Sequence, residues 1–225
     1  MENEHDQQPP PITPAGSEPE SHPPRQCAEC GKEFFARLTR TEHLEFCYDC
    51  AQQWATFCEL CPEGYRRHDP KQYPKASASK LTAVLAWQYG ERGLLLHGET
   101  GQGKSRAAWL LLRRLHFARH GIIAFDAVSF SHEVARQFSS ERGPDRWLRS
   151  LYSVPVVFLD DLGKCRLTER GEAELFGLIE TRTANGKPII ATTNFVGGTL
   201  ANAMRPETGI PLARRLREFC DCIAF

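Results

Sequence analysis

Four cysteines near the N-terminus form two Cys-x-x-Cys pairs. Cys27 and Cys30 make the first pair, and Cys47 and Cys50 make the second, with sixteen residues between the two pairs. This spacing is typical of a tetrahedral zinc site with four cysteine ligands, to which each pair supplies two thiolates. A module of about forty residues is too small to bury a sizeable core, so we expect the metal to supply most of its folding free energy.

A third cysteine pair leaves two interpretations open. Cys58 and Cys61 could bind a second ion together with His43 or His68, or could replace one of the first pairs. They could also be incidental thiols at the start of a linker, which is the interpretation that we favour. The three remaining cysteines, Cys165, Cys220 and Cys222, are expected to be core or loop residues, because isolated buried cysteines act as small hydrophobic residues.

Residues 98–105, GETGQGKS, fit the pattern G-x-x-x-x-G-K-[ST] at every fixed position. The segment lies between a strand pattern, GLLLHG, and a helical pattern, so its backbone N–H groups and the helix N-terminus are expected to surround phosphate oxygens. Lys104 is expected to neutralise the β- and γ-phosphates of ATP, and Ser105 to bind Mg²⁺. The predicted nucleotide-binding residues are Gly98, Glu99, Thr100, Gly101, Gln102, Gly103, Lys104 and Ser105.

Polar residues follow two later apolar runs. VVFLDD ends in Asp160 and Asp161, and IIATTN ends in Asn194. Because ligands bind at the carboxyl ends of strands in open α/β sheets, Asp160 is expected to hold Mg²⁺ together with Ser105. Asp161 is placed to orient or deprotonate an attacking water, or else is a solvated turn carboxylate or a helix cap. Asn194 is predicted to contact the γ-phosphate or to position water, although an Asn after a strand is often a turn former.

The elements around these motifs predict an α/β domain. Continuous apolar runs alternate with helical periodicity, which favours a parallel sheet of five strands covered by helices. Upstream, a proline-rich acidic segment cannot bury enough surface to fold. We therefore predict a disordered tail over residues 1–25, a zinc module over 26–65, a linker over 66–80 and the α/β domain over 81–225.

Charge separates the two halves of the chain. The 225 residues carry 28 basic and 28 acidic side chains, but the first 65 residues hold twelve acidic and only four basic ones. Attraction to nucleic acid must therefore come from the later part, whereas the acidic zinc module is expected to contact a protein. The candidate contacts to single-stranded DNA are Arg113, Arg114, Arg119, Arg136, Arg142, Arg146 and Arg149.

The sequence shows neither a basic start followed by an apolar block nor an apolar run near the roughly 20 residues that span a bilayer. We therefore expect a cytoplasmic protein without a membrane partner.

The order of motifs over about residues 75–225 resembles the DnaC/IstB-type AAA+ ATPases, which include bacterial and phage helicase loaders and transposition helpers. The resemblance implies an AAA+ domain of the ASCE type, with Lys104 and Ser105 as Walker A residues and Asp160 and Asp161 as Walker B residues. It also implies that Asn194 is sensor 1. The sequence ends at Phe225, which predicts that the helical C-terminal lid is missing.

The resemblance further assigns Arg215 as an arginine finger that reaches the nucleotide of a neighbouring subunit. The protein is then expected to be a homo-oligomer in its ATP state. Arg214 takes this role if the register differs by one residue. The wider AAA+ class usually carries Glu where this chain has Asp161, so slow hydrolysis is expected.

The sequence therefore predicts a protein that binds ATP, Mg²⁺ and Zn²⁺ and acts in DNA replication. The leading interpretation is a helicase loader or a similar accessory factor, whose partners are the replicative helicase, or another replication or transposition protein, and DNA. One alternative is an IstB-like transposition helper, and another is a nucleotide-gated interaction protein with negligible ATPase activity. A small-molecule kinase is disfavoured, because no segment is suited to form a lid or an acceptor pocket.

Overall fold

A computed structural model describes residues 24–34, 45–66, 73, 77–195 and 199–225. The predicted acidic tail up to residue 23, His43, His68 and most of the predicted linker lie outside these residues. The chain divides into two compact units, Met1–Ala51 and Gln52–Phe225. Among the described residues, no helix is both long enough and apolar enough to cross a membrane.

The first unit contains a short antiparallel pair of strands, β1 (Arg25–Gln26) and β2 (Glu33–Phe34). Between the strands the chain turns tightly, because the Gly31 N–H donates to the Cys27 carbonyl at 2.9 Å and the Cys27 N–H donates to the Lys32 carbonyl at 2.9 Å. Gly31 has φ of 70°, a left-handed conformation that glycine adopts without strain. The turn brings Cys27 and Cys30 to the same end of the hairpin.

The second unit is an α/β domain. Its strands are β3 (Gly93–His97), β4 (Ile122–Asp126), β5 (Val156–Leu162), β6 (Ile189–Thr193) and β7 (Cys220–Ala224). They form one parallel sheet in the order β4-β5-β6-β3-β7. The predicted five-stranded parallel sheet is therefore confirmed.

Helices connect and cover these strands. The described helices are α1 (Tyr48–Leu60), which begins in the first unit, α2 (Glu63–Arg66), α3 (Ala78–Ala86), α4 (Lys104–Phe117), α5 (Ala127–Phe138), α6 (Asp145–Ser153), α7 (Glu169–Ala184), α8 (Thr199–Asn202) and α9 (Pro206–Phe219). Side chains alternate along the strands, so Leu94 and Leu96 of β3 join one apolar cluster with α3 and α4. Leu95 joins a second cluster on the opposite face with α7 and α9. Burial on both faces explains why the strand sequences are continuously apolar.

The predicted boundary at residue 65 differs from the structural division after Ala51. Phe57 is 1% exposed and lies 6.2 Å, centroid to centroid, from Trp109 of α4, while Tyr65 stacks on the same indole at 6.3 Å. These aromatic side chains complete the core of the α/β domain and do not fill a core in the cysteine module. Residues 52–66 therefore pack with the α/β domain.

Candidate nucleotide site and metal centre

The loop between β3 and α4 approaches two other parts of the domain closely enough to require glycine. A Cβ atom at Gly103 would lie 2.4 Å from the Tyr73 hydroxyl, which donates to the Gly103 carbonyl at 2.7 Å. A Cβ atom at Gly98 would lie 2.2 Å from the carbonyl oxygen of Phe225. Both glycines also have positive φ, of 91° and 140°. These two fixed positions of the motif therefore have a steric cause in this chain.

Lys104 begins α4 and turns back over the loop. Its ammonium group donates to the Gly98 carbonyl at 2.9 Å and to the Glu99 carbonyl at 2.7 Å, and the residue is only 4% exposed. Burial lowers the pKa of Lys104, while the carboxylates of Asp161 and Asp160 act in the opposite direction. The loop thus holds a buried cation beside its own backbone, in a position to neutralise an anion.

Ser105 and Asp160 meet across the site. The Ser105 hydroxyl donates to Asp160 Oδ1 at 2.8 Å, and the same oxygen accepts a hydrogen bond from Thr192 at 2.5 Å. Burial raises the pKa of Asp160, and the hydrogen bonds from Thr192 and Ser105 offset part of this effect. The Ser105 hydroxyl of α4 and the Asp160 carboxylate of β5 together form an oxygen donor set that suits Mg²⁺. The structure therefore places Ser105 against Asp160, directly after Lys104 in the chain.

Thr192 is a site residue that the sequence reasoning missed. Its hydroxyl donates to Asp160 and accepts the backbone N–H of Asp161 at 2.8 Å, so one side chain orients both acids. The contact depends on β6 lying next to β5, which the chain order of the strands does not reveal. The available signal was a pair of threonines, Thr192 and Thr193, in an otherwise apolar strand.

Asp161 adopts a left-handed backbone conformation, with φ of 55°. The register between β5 and β6 shifts between Leu159 and Leu162, so Asp161 lies in a bulge at the end of the strand. Its Oδ2 atom lies 2.6 Å from the ammonium group of Lys164. The carboxylate is thus at the expected edge of the sheet but is paired with a cation of its own turn.

Asn194 directly follows β6, at the same edge of the sheet, and is half-buried. Arg215 is placed differently. Its guanidinium group binds both carboxylate oxygens of Glu180, at 2.5 and 2.8 Å, and lies over the ring of Phe219 at 5.1 Å. The structure therefore shows Arg215 in an ion pair within the chain, whereas Arg214 and Arg217 are exposed and line an open groove of about 640 Å³.

No protein-family model matches the chain. A protein of Mycobacterium tuberculosis that is named as an ATP-binding protein in an insertion sequence is 29% identical over 123 residues, which cover 54% of this chain and 49% of that protein. The chain thus spans about half the length of this curated relative.

Several solved structures share the fold. The DnaC helicase loader has a TM-score of 0.56 and 20% identity, and the match covers 76% of this chain and 98% of that one. DnaA from Aquifex aeolicus with bound AMPPCP has a TM-score of 0.58 and 15% identity, covering 74% and 51%. A further DnaA structure, with AMPPCP and single-stranded DNA, matches with the same TM-score and identity over 74% and 50%.

The α/β domain shares the fold of these proteins, and the GETGQGKS loop between β3 and α4 gives it a P-loop NTPase architecture. Its strand order places β6 between the P-loop strand β3 and the acidic strand β5.

The first unit holds a candidate metal centre. The Sγ atoms of Cys27, Cys30, Cys47 and Cys50 all lie within 4.8 Å of one another, and those of Cys30 and Cys47 are 3.7 Å apart. Four sulfurs around a tetrahedral zinc with bonds of about 2.3 Å would be about 3.8 Å apart. The four thiols therefore fit the predicted ion.

The local backbone favours the thiolate form of Cys27, whereas burial raises the pKa of Cys47 and of Cys50. Burial acts to raise the pKa of Cys27, but hydrogen bonds from the backbone of Cys30, Cys47 and Glu29 outweigh it and lower the pKa to about 6. Two of the four residues, Cys27 and Cys50, are buried. A thiolate at neutral pH is the form that binds zinc.

The third cysteine pair does not join this cluster. Within the described part of the chain, the four cysteines are the one group of three or more ligand residues with metal-binding proximity. Cys61 is 1% exposed among apolar side chains of the α/β domain, and burial raises its pKa to about 12. The surroundings of Cys61 are thus those of a small hydrophobic residue.

We expect metal analysis of the purified protein to find one zinc per chain. Replacing Cys27 with serine should remove the ion, because three remaining thiolates leave the tetrahedral site incomplete. The matched control is Cys58→Ser, which should retain one zinc. Two zinc ions in the unaltered protein would contradict the assignment of Cys58 and Cys61 as incidental thiols.

Proposed function

We propose that this protein binds and hydrolyses ATP and acts in DNA replication as a helicase loader or a similar accessory factor. The observation that carries the proposal is the convergence of Lys104, Ser105 and Asp160 at one end of the AAA+ sheet. The match to the DnaC helicase loader supports the choice of process, since it covers nearly the whole of that chain.

In this proposal, each residue of the site has one task. The loop backbone and Lys104 bind the phosphates of ATP, while Ser105 and Asp160 hold Mg²⁺. The ion, when bound, stabilises negative charge on the phosphates. Asp161 orients the attacking water. Asn194, which follows the adjacent strand, lies at the edge where it can position the same water or the γ-phosphate.

Hydrolysis would be completed between subunits. We assign the arginine finger to Arg215, although its guanidinium group is paired with Glu180 in the isolated chain. This ion pair is about one third exposed at each side chain, and ion pairs with solvent access contribute little stability. A neighbouring subunit could therefore supply a competing anion, namely the nucleotide in its own site.

DNA would contact the AAA+ domain through a smaller set of arginines than the sequence suggested. Arg114 donates to the carbonyls of Leu85 and Trp87, and Arg136 pairs with Glu133, so both have roles within the fold. Three candidates on or just before α6 are exposed: Arg142, Arg146 and Arg149. Their charges are free to face a phosphate backbone, whereas the acidic zinc module is assigned to the helicase or another protein partner.

The test compares binding of single-stranded and duplex DNA by the full chain, with and without ATP. A helicase loader is expected to prefer single strands, and alanine at Arg142, Arg146 and Arg149 should weaken binding and lower the salt slope by up to about three. The control is Arg92→Ala, because Arg92 lies outside α6 and pairs with Asp221 of β7. Capture of the replicative helicase in the presence of ATP would support the loader role. Unaltered DNA binding by the triple alanine variant would exclude the exposed arginines near α6 as the DNA contacts.

The second candidate is a transposition helper, which the insertion-sequence relative favours. Preference for duplex DNA, together with capture of a transposase, would select it over the loader. Measuring the rate of ATP hydrolysis distinguishes both candidates from an interaction protein with negligible ATPase activity. In that case the unaltered protein and Asp161→Ala would show equal, negligible rates.

A further inference from the structure

Lys164 is a charged residue of the nucleotide site that no sequence motif identifies. Its ammonium group lies 2.6 Å from Asp161 Oδ2, the carboxylate assigned to orient water. The pKa of Lys164 is raised, first by the hydrogen bond to Asp161 and then by the charges of Asp161, Asp160 and Asp126. One cation therefore faces the three carboxylates at the ends of β4 and β5.

The backbone around this ion pair is fixed from both sides. Asp161 donates its N–H to Thr192, and its carbonyl accepts the N–H of Lys164 at 3.0 Å. Between them, Gly163 has φ of 86°, and a Cβ atom there would lie 2.6 Å from the ring of Phe195. Because this turn cannot shift easily, only the side chains of Asp161 and Lys164 are free to move.

The two side chains differ in exposure. The Lys164 side chain is 64% exposed and that of Asp161 is 24% exposed, so the bond joins an exposed cation to a more confined carboxylate. An ion pair with this much solvent access contributes little stability, so it can open without a large cost in free energy.

Resting on the proposed ATPase function, we propose that Lys164 is a positioning residue that restrains Asp161 and thereby slows hydrolysis. While the ion pair is closed, one carboxylate oxygen of Asp161 is occupied by the ammonium group instead of water. Breaking the pair frees Asp161 to orient the attacking water. This restraint lies within one turn of a single subunit and is separate from the contribution of Arg215.

The test measures steady-state ATP hydrolysis and equilibrium binding of a fluorescent ATP analogue with the full chain. Lys164→Ala should raise kcat about two- to fivefold, the factor by which an exposed ion pair shifts an equilibrium. Nucleotide affinity should remain unchanged, and Lys164→Arg should restore the low rate. Lys187→Ala, at the amino end of β6, serves as the control for loss of a lysine and should leave the rate unaltered.

A double-mutant cycle shows whether the effect passes through Asp161. In an Asp161→Asn background, Lys164→Ala should no longer change kcat, because the restrained carboxylate is gone. A lower kcat or weaker nucleotide binding in Lys164→Ala would overturn the proposal and make Lys164 a phosphate contact. Equal rates with active protein would also overturn it. Nucleotide bound by every variant without any turnover would instead remove the proposed ATPase, and this inference with it.

Discussion

Replacing Lys104 with alanine is expected to abolish measurable ATP binding. The ammonium group is buried and donates to two loop carbonyls, at 2.9 and 2.7 Å, so it both shapes the phosphate-binding loop and supplies its positive charge. Charge-assisted hydrogen bonds from this ammonium group to phosphate oxygens would contribute about 1.5–3 kcal/mol each, and the loss of two of them corresponds to at least about 100-fold in affinity. Isothermal titration with Mg·ATP measures the change directly.

The control for this substitution is Lys187→Ala, which removes a lysine from the other end of the sheet. Its ATP affinity should equal that of the unaltered protein. Thermal unfolding of Lys104→Ala must show a cooperative transition, because the carbonyls of Gly98 and Glu99 lose a donor in this variant. Normal ATP affinity in a folded Lys104→Ala protein would defeat the assignment of residues 98–105 as the phosphate site.

Arg215→Ala is expected to leave ATP binding largely intact but to reduce assembly-dependent hydrolysis by a factor on the order of 10³. The guanidinium group is held by Glu180 in the isolated chain, so its loss does not remove a contact from the P-loop. In an assembly, the same group would stabilise charge that develops on the nucleotide of the neighbouring subunit. Turnover measured against protein concentration separates this contribution from the basal rate.

The matched controls are Arg214→Ala and Arg217→Ala, which remove exposed arginines of the same helix. Both should retain assembly-dependent hydrolysis. If Arg214→Ala loses hydrolysis while Arg215→Ala keeps it, the finger is Arg214, and the ion pair of Arg215 with Glu180 has only a structural role. Full activity in all three variants would show that none of these arginines of α9 is the arginine finger.

Local patterns predicted much of the AAA+ sheet and of the candidate site. The P-loop, Asp160 and the four-cysteine cluster depend on residue spacing within short segments, and the structure places these residues at suitable distances. Thr192 could not be predicted in the same way, because its contact with Asp160 depends on which strands are neighbours. The pairing of Arg215 with Glu180 likewise depends on the packing of α9 against α7, since the two residues are 35 positions apart.

The N-terminal boundary of the α/β domain also could not be predicted from local sequence patterns. Phe57 and Tyr65 are compatible by composition with the core of a small metal module, and only their contacts with Trp109 assign them to the larger domain. Lys164 was overlooked because a lysine in a turn carries no pattern of its own. In each case the missing information was a long-range contact, which hydrophobic periodicity does not encode.

The contact of Tyr73 with Gly103 determines where a fragment that contains the α/β domain should begin. The Tyr73 hydroxyl donates to the carbonyl of Gly103, thirty positions downstream, so the loop of residues 98–105 is supported partly by a residue that precedes Leu81. A fragment that begins at Leu81 would lose the hydrogen bond from Tyr73. It would also leave the indole of Trp109 without its ring contacts to Phe57 and Tyr65. A fragment that begins at Gln52 keeps Tyr73, Phe57 and Tyr65 and therefore retains these contacts. Weak activity in a shorter fragment would then result from the loss of these contacts.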